Sequence, residues 1–282
     1  MTTIERMELQ HLKIGFLGGG HMGRALADAL LKAGVPSSQI VIAEPHAQTR
    51  MQLQESLGIA TVSRGEDLPN DLHVLLLAVK PQDLLPALTP LLSKLNQSTL
   101  IISIAAGVTS EQLRALCGGG ARVMRAMPNR PASLGVGATA LFAGEGARRE
   151  DRQVAEALLK TAGTVEWISD ESLMDVVTAL SGSGPAYFFL LAEAMRDAAI
   201  AQGLPPEVAR RLAAATLAGA GAMCGQTNDL ATLRQSVTSK GGTTAAALAQ
   251  FEQANLKKLV AEAMQAAILR GQALSQQTSG DA

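Results

Sequence analysis

Thr238, Ser239, Thr243 and Thr244 bracket the pair Gly241 and Gly242, with Lys240 just ahead of it, and an alanine-rich stretch runs on to residue 252. Hydroxyls and glycines at a helix start suit the capture of a small anion. Glycines leave backbone N–H groups open, and the helix dipole adds partial positive charge at the same end. The same residues would also make an ordinary capped helix after a flexible turn. Near the other end of the chain, Gly18, Gly20 and Gly23 form G-x-G-x-x-G. The apolar Ile14, Phe16 and Leu17 precede it, and helical apolar spacing follows over 22–32, which is the strand, turn and helix context that the motif requires. The first glycine makes the tight turn, the second lets the backbone approach a pyrophosphate, and the third lets the helix lie close on the sheet.

Further elements must position these groups. Strand patterns recur at 39–43, 72–79, 99–104, 122–127, 137–142 and 165–168, with helical spacing at 47–57 and 82–95. Continuous apolar runs of strand length, such as 72–79, belong to parallel sheets covered on both faces. The alternation predicts an α/β Rossmann-type doubly wound domain over 1–168. Past Asp170 strands vanish, and helices are expected at 171–180, 186–202, 206–224, 229–237 and 254–274. This all-α segment, 169–282, is read as a substrate and dimerisation domain with a disordered tail over 274–282. Residues 212–223 are apolar around most of a helix, so burial against a second copy of the chain is expected.

The 282 residues are 47% hydrophobic and 17% charged with a net charge of −1. That balance argues against a nucleic-acid or membrane-surface partner, and no run is long and apolar enough for a membrane span. Cys117 and Cys224 lie far apart without metal-ligand spacing, so no metal is expected, and they fit a reducing cytoplasm. The opening Met-Thr-Thr-Ile-Glu-Arg has no apolar core and is not a secretory signal.

All four histidines (His11, His21, His46, His73) lie in the nucleotide-binding half. An alcohol dehydrogenase commonly needs a His or Lys base at the hydroxyl. The helical half offers hydroxyls, backbone amides and Lys240, but no evident base. That suits an acceptor that is already activated, such as a protonated imine.

Gly18 to Gly23, Ala78-Val-Lys-Pro-Gln82, Met127-Pro-Asn129, Ser181-Gly-Ser-Gly-Pro-Ala-Tyr187 and Val237-Thr-Ser-Lys-Gly-Gly-Thr-Thr244 stand in an order and spacing that resembles the pyrroline-5-carboxylate reductases. The resemblance covers residues 12–274. It implies reduction of 1-pyrroline-5-carboxylate to L-proline with NAD(P)H, and a Rossmann domain followed by an interlocking helical domain. It also implies homodimers, often five to a decamer. By the same resemblance Gly18, Gly20, His21, Met22 and Gly23 cradle the pyrophosphate, and Ala78, Val79, Lys80 and Pro81 border the nicotinamide ribose. Ala105, Ala106 and Asn129 line the nicotinamide pocket. Ser181 and Ser183 flank the substrate, Thr238 is the catalytic candidate at the ring nitrogen, and Gly241, Gly242 and Thr243 hold the carboxylate.

Three positions depart from the family pattern. Lys240 stands where many relatives have Pro, either adding charge beside the carboxylate or pointing to solvent. Arg130 replaces the usual Thr. Glu44 ends the second strand, where NAD sites bind a ribose 2′-hydroxyl, and it would repel a 2′-phosphate. His46 and Arg50 could offset it, so NADPH is the expected cofactor with NADH left open. Two other readings compete: a 3-hydroxyacid dehydrogenase, which would need a catalytic lysine that the 219–226 stretch lacks, and a non-catalytic nucleotide sensor, which has no use for an anion site at 241–243.

Overall fold

Short runs of Val, Ile and Leu build the central strands. β1 (Ile14–Leu17), β4 (Val74–Leu77) and β5 (Leu100–Ser103) are buried at every position, as strands covered on both faces must be. The computed structural model describes residues 9–227 and 229–280. It gives an eight-stranded sheet in the order β3-β2-β1-β4-β5-β6-β7-β8. β2 (Ile40–Ala43), β3 (Ala60–Val62) and β6 (Arg122–Met127) complete the parallel part. β7 (Gly137–Ala143) runs antiparallel to β6, and β8 (Gly163–Trp167) runs parallel to β7.

That reversal corrects the expectation of crossovers throughout. Only residues 128–136 join β6 to β7, too few for the crossover that a parallel pair needs. Alternating strand residues feed two cores. Ile14, Phe16 and Leu76 pack with α1 (His21–Lys32), α2 (Ala47–Leu57) and α5 (Arg149–Lys160) on one face. Leu17, Leu75 and Leu77 pack with α3 (Pro81–Leu92) and α4 (Ser110–Leu116) on the other. The sequence reading lacked β3, α4 and α5.

The expected helix at 171–180 is broken into a 3-10 turn (Glu171–Leu173), the short α6 (Met174–Val177) and a wide π turn (Thr178–Gly182). By compactness the chain falls into two units, one ending its first stretch at Gly182. One unit takes residues up to Gly182 and those from Ala267, the other Ser183–Ala266. Residues 171–182 stay with the sheet because Glu171 accepts from Ser110 N and Arg125 Nη1, and Ser181 bonds to Asn129.

In the second unit α7 (Gly184–Ala201) packs on α8 (Pro206–Met223), followed by α9 (Leu230–Ser236), α10 (Thr243–Gln253) and the beginning of α11 (Leu256–Gly280). Phe188, Phe189 and Leu190 are 62%, 63% and 66% exposed in a single copy, the surface expected of helices that meet a partner. α11 runs helical to Gly280, so the disordered tail expected from 274 is corrected over that range. No proline interrupts it, and Ala, Leu and Gln are good helix formers. Residues 281–282, and 1–8 with the signal-free reading attached to them, lie outside the described residues. No helix among the described residues is long and apolar enough to cross a membrane.

Candidate active site

The order of strands reverses between β1 and β4, and a cleft of about 580 Å³ opens at the carboxyl ends of β1 to β4. Open α/β sheets bind ligands at this switch point. Leu17, Gly18 and Gly20 line the cleft after β1, and Glu44, Pro45 and His46 after β2. Ser63, Arg64, Gly65 and Glu66 follow β3, with Ala78, Val79 and Lys80 after β4.

The glycines of the turn differ in what they permit. Gly18 has φ +106, and a Cβ there would stand 2.7 Å from the Ala78 carbonyl oxygen. A Cβ on Gly23 would collide with the Gly18 carbonyl oxygen. Gly20 caps α1 with no side-chain bond, and its missing Cβ faces open space. The uncapped first turn of α1 beside that space fits the phosphates of a dinucleotide. His21 is exposed, whereas the Met22 side chain packs on the core, so Met22 has only its main chain to offer.

Glu44 is 6% exposed. Its Oε2 accepts from Gly19 N and its Oε1 from His46 N, both at 3.0 Å. Arg50 Nη1 donates to the carbonyl oxygens of Glu44 (2.8 Å) and Pro45 (2.7 Å). Arg50 therefore secures the backbone around Glu44 and is not paired with its carboxylate. Arg64, a cleft residue that the sequence reading missed, pairs with Glu66 at 2.8 Å and Asp67 at 3.4 Å.

Pro81 sits at the first turn of α3, with Lys80 as its exposed cap residue. Ala105 is buried at the end of β5 while Ala106 is exposed. Neither they nor Asn129 line the cleft described above. Asn129 is 9% exposed and fully engaged: Nδ2 donates to the carbonyl and hydroxyl oxygens of Ser181, and Oδ1 accepts from Ala138 N. Arg130, next to it, is exposed.

In the helical unit, Ser183 precedes α7 and accepts the Ala186 N–H on its carbonyl. The Thr238 hydroxyl donates to the Arg234 carbonyl oxygen at 2.7 Å. Its lone pairs remain for a donor. Gly241 takes φ +71, and a Cβ on Gly242 would collide with Ser239 Oγ. Gly242 also donates its N–H to Ser239 O at 3.1 Å. Of the three N–H groups expected to hold an anion, that of Gly242 is engaged within its own loop. The uncapped first turn of α10 adds the N–H groups of Thr243 and Thr244 as donors. Lys240 is exposed.

The model for the pyrroline-5-carboxylate reductase dimerisation family matches residues 171–274. The model described as NADP oxidoreductase, coenzyme F420-dependent, matches residues 13–107, within the nucleotide-binding half. A pyrroline-5-carboxylate reductase of Haemophilus influenzae is 41% identical over 94% of this chain and 98% of its own length. The chain belongs to the pyrroline-5-carboxylate reductase family. The structure of such a reductase from Coxiella burnetii matches with a TM-score of 0.88 at 36% identity, covering 93% of this chain and 98% of that one. One from Plasmodium falciparum, solved with NADP bound, matches with a TM-score of 0.82 at 28% identity, covering 95% and 99%.

Membership in the reductase family removes the hydroxyacid dehydrogenase reading. It also accounts for the exposed apolar helices, because the matched region is a dimerisation domain. Within the reductase cleft, Gly18, Gly20, Glu44, Ala78, Val79 and Lys80 come together. The sequence reading missed Gly19 and Arg64. Gly19 was legible only as the extra glycine of a Gly-Gly-Gly run, and nothing in the pattern around Arg64 marked the end of a three-residue strand.

Proposed function

We propose that this chain reduces 1-pyrroline-5-carboxylate to L-proline, the last step of proline biosynthesis, with NADPH preferred over NADH. The observation that carries this reading is the 41% identity running through 94% of the chain, so that the glycine turn and the 236–244 segment come from one relative. In function, residues 1–168 serve the cofactor, and residues 169–282 serve the substrate and the dimer.

Reduced nicotinamide, when bound, supplies a hydride to the C=N carbon. The chain's own residues bind and orient. Gly20, His21 and Met22 present main-chain N–H groups to the pyrophosphate, in a turn shaped by Gly18, whose own N–H is held by the Ala43 carbonyl, and by Gly23, and Ala78 to Pro81 border the ribose. Ala105, Ala106 and Asn129 shape the nicotinamide side, with Asn129 acting through its hold on Ser181. The substrate carboxylate is received by Thr243 and Thr244 at the start of α10, in a loop shaped by Gly241 and Gly242, with Lys240 adding positive charge. Ser183 lies on the substrate side as well. Thr238 accepts a hydrogen bond from the protonated ring nitrogen, a polarity supported by the commitment of its own proton to Arg234. Catalysis is then positioning and electrostatic matching of a zwitterion, with no base required.

Arg64 and Lys80 bring two cations to the cleft lining, beside Glu66 and Asp83, and the relative with NADP bound supports a preference for NADPH. The assembly is a homodimer, built five to a decamer, and the protein is cytoplasmic. The test is loss of reduced-nicotinamide absorbance with purified protein and 1-pyrroline-5-carboxylate, NADPH and NADH side by side. Substrate-dependent oxidation with formation of proline is expected. A protein that binds cofactor yet oxidises neither would overturn the reading.

A further inference from the structure

An acidic residue at the end of β2 normally marks a site that selects NADH, because a free carboxylate binds the ribose hydroxyls and repels a 2′-phosphate. The Glu44 carboxylate is differently disposed. It is 6% exposed, and each oxygen already accepts a main-chain N–H, one from Gly19 in the turn after β1 and one from His46 in the turn after β2. Gly19 is itself buried and wedged. A Cβ there would stand 2.6 Å from Leu53 Cδ1, 3.2 Å from Ile42 Cγ2 and 3.3 Å from Glu44 Cβ. The middle of the phosphate-binding turn thus rests on β2, α2 and the Glu44 side chain. Its neighbours Gly18 and Gly20 are the residues that line the cleft.

We infer that Glu44 is a positioning residue: its carboxylate braces the phosphate-binding turn through Gly19 and does not choose between NADH and NADPH. Hydrogen bonds from two N–H groups offset its charge locally. Without the carboxylate, the buried Gly19 N–H loses its acceptor, and the turn that carries Gly20 is released. Arg50 holds the backbone of Glu44 and Pro45 from the other side, so the acceptor is fixed before any ligand arrives. Discrimination is then left to the other charged residues that line the same cleft, Lys80 and the ion-paired Arg64 among them. The inference rests on the dinucleotide reading of the cleft, and it reassigns the residue that would otherwise argue for NADH.

Calorimetric binding of NADPH and of NADH, without substrate, to the wild type, Glu44→Ala and Glu44→Gln tests it. Glu44→Ala should weaken both nucleotides alike, by about tenfold each, from the loss of a charge-assisted bond. In turnover that loss should appear in the cofactor KM, with kcat at saturating cofactor retained. Glu44→Gln keeps one acceptor oxygen in the same shape and should recover most of the affinity for both. It also carries the ratio test on its own if the alanine variant folds poorly. A shift of tenfold or more toward NADPH in either variant would make Glu44 a ribose ligand and overturn the inference. So would a fall in Tm with both affinities unchanged. Because binding is read without substrate, failure to form proline would strike the functional reading alone, whereas a wild type that bound neither nucleotide would overturn both.

Discussion

Asn129 and Ser181 are locked to each other: the Asn129 carboxamide donates to both the carbonyl and the hydroxyl oxygen of Ser181, each at 3.2 Å. The other side of Asn129 accepts the Ala138 N–H at 2.8 Å, so one buried side chain ties the end of β6, the start of β7 and the π turn. Asn129→Ala should cost about 1–3 kcal/mol, the usual cost of stranding buried partners, read as a lower urea midpoint. Asn129→Asp should be worse, because a carboxylate cannot donate to either Ser181 oxygen. Equal midpoints for wild type and both variants would show that the contact contributes nothing.

Thr238→Ala should lower kcat by about a hundredfold, the scale seen when one preorganised hydrogen-bonding group is removed from a developing charge. NADPH affinity should stay nearly intact. Thr238→Ser keeps the hydroxyl and its bond to Arg234 and should retain most of the rate. An alanine variant that turned over normally would remove Thr238 from the chemistry.

Burial raises the Asp175 carboxyl above its ordinary value of 3.8, with the Arg125 charge opposing in part. The folded state therefore prefers this group protonated. Its contribution to stability is full below the ordinary value and is lost as pH rises through the raised one. Asp175→Asn should be more thermostable than wild type at pH 7, with the gap closing as pH falls below about 4. A gap that did not change with pH would assign the difference to packing alone.

Cys117 is partly buried, and burial pushes its thiol up to about 11. The thiolate is the reactive form, so at pH 8 only about one part in a thousand is available. In a Cys224→Ser variant, a disulfide reagent should label the folded protein very slowly and the urea-unfolded protein promptly. Rapid labelling of the folded variant would contradict the burial.

The parallel strands and the glycine turn were readable because their chemistry is local. Val74–Leu77 is buried on both faces and has to be a continuous apolar run, and Gly18 and Gly23 are demanded by close backbone approach. What escaped was either short or relational. β3 has only three residues. α4 did carry a signal that went unused, the Thr109 and Gln112 capping box. The charged start of α5 obscured the apolar stripe of Val154, Ala155, Leu158 and Leu159. The engagements of Glu44, Asn129 and Gly242 depend on which residues come opposite them in space, and no spacing rule reports that.

The reversal of β7 leaves the chain, after β8, at the far rim of the sheet, and it must climb back. Residues 171–182 are that ascent, fastened at two heights: Glu171 to Arg125 below and Ser181 to Asn129 above. Arg125 to Asn129 is four residues of extended chain, about 13 Å. Glu171 to Ser181 is ten residues of helical chain in three pieces, about 15 Å at the α-helical rise. The spacing of the two rungs must agree on both rails, and the wide turn at Thr178–Gly182 is where the helical rail takes up its extra residue. A single deletion there would swing Ser181 by about 100° around the helix axis and unfasten the upper rung. The length of this short ascent is therefore under tighter constraint than most of its side chains.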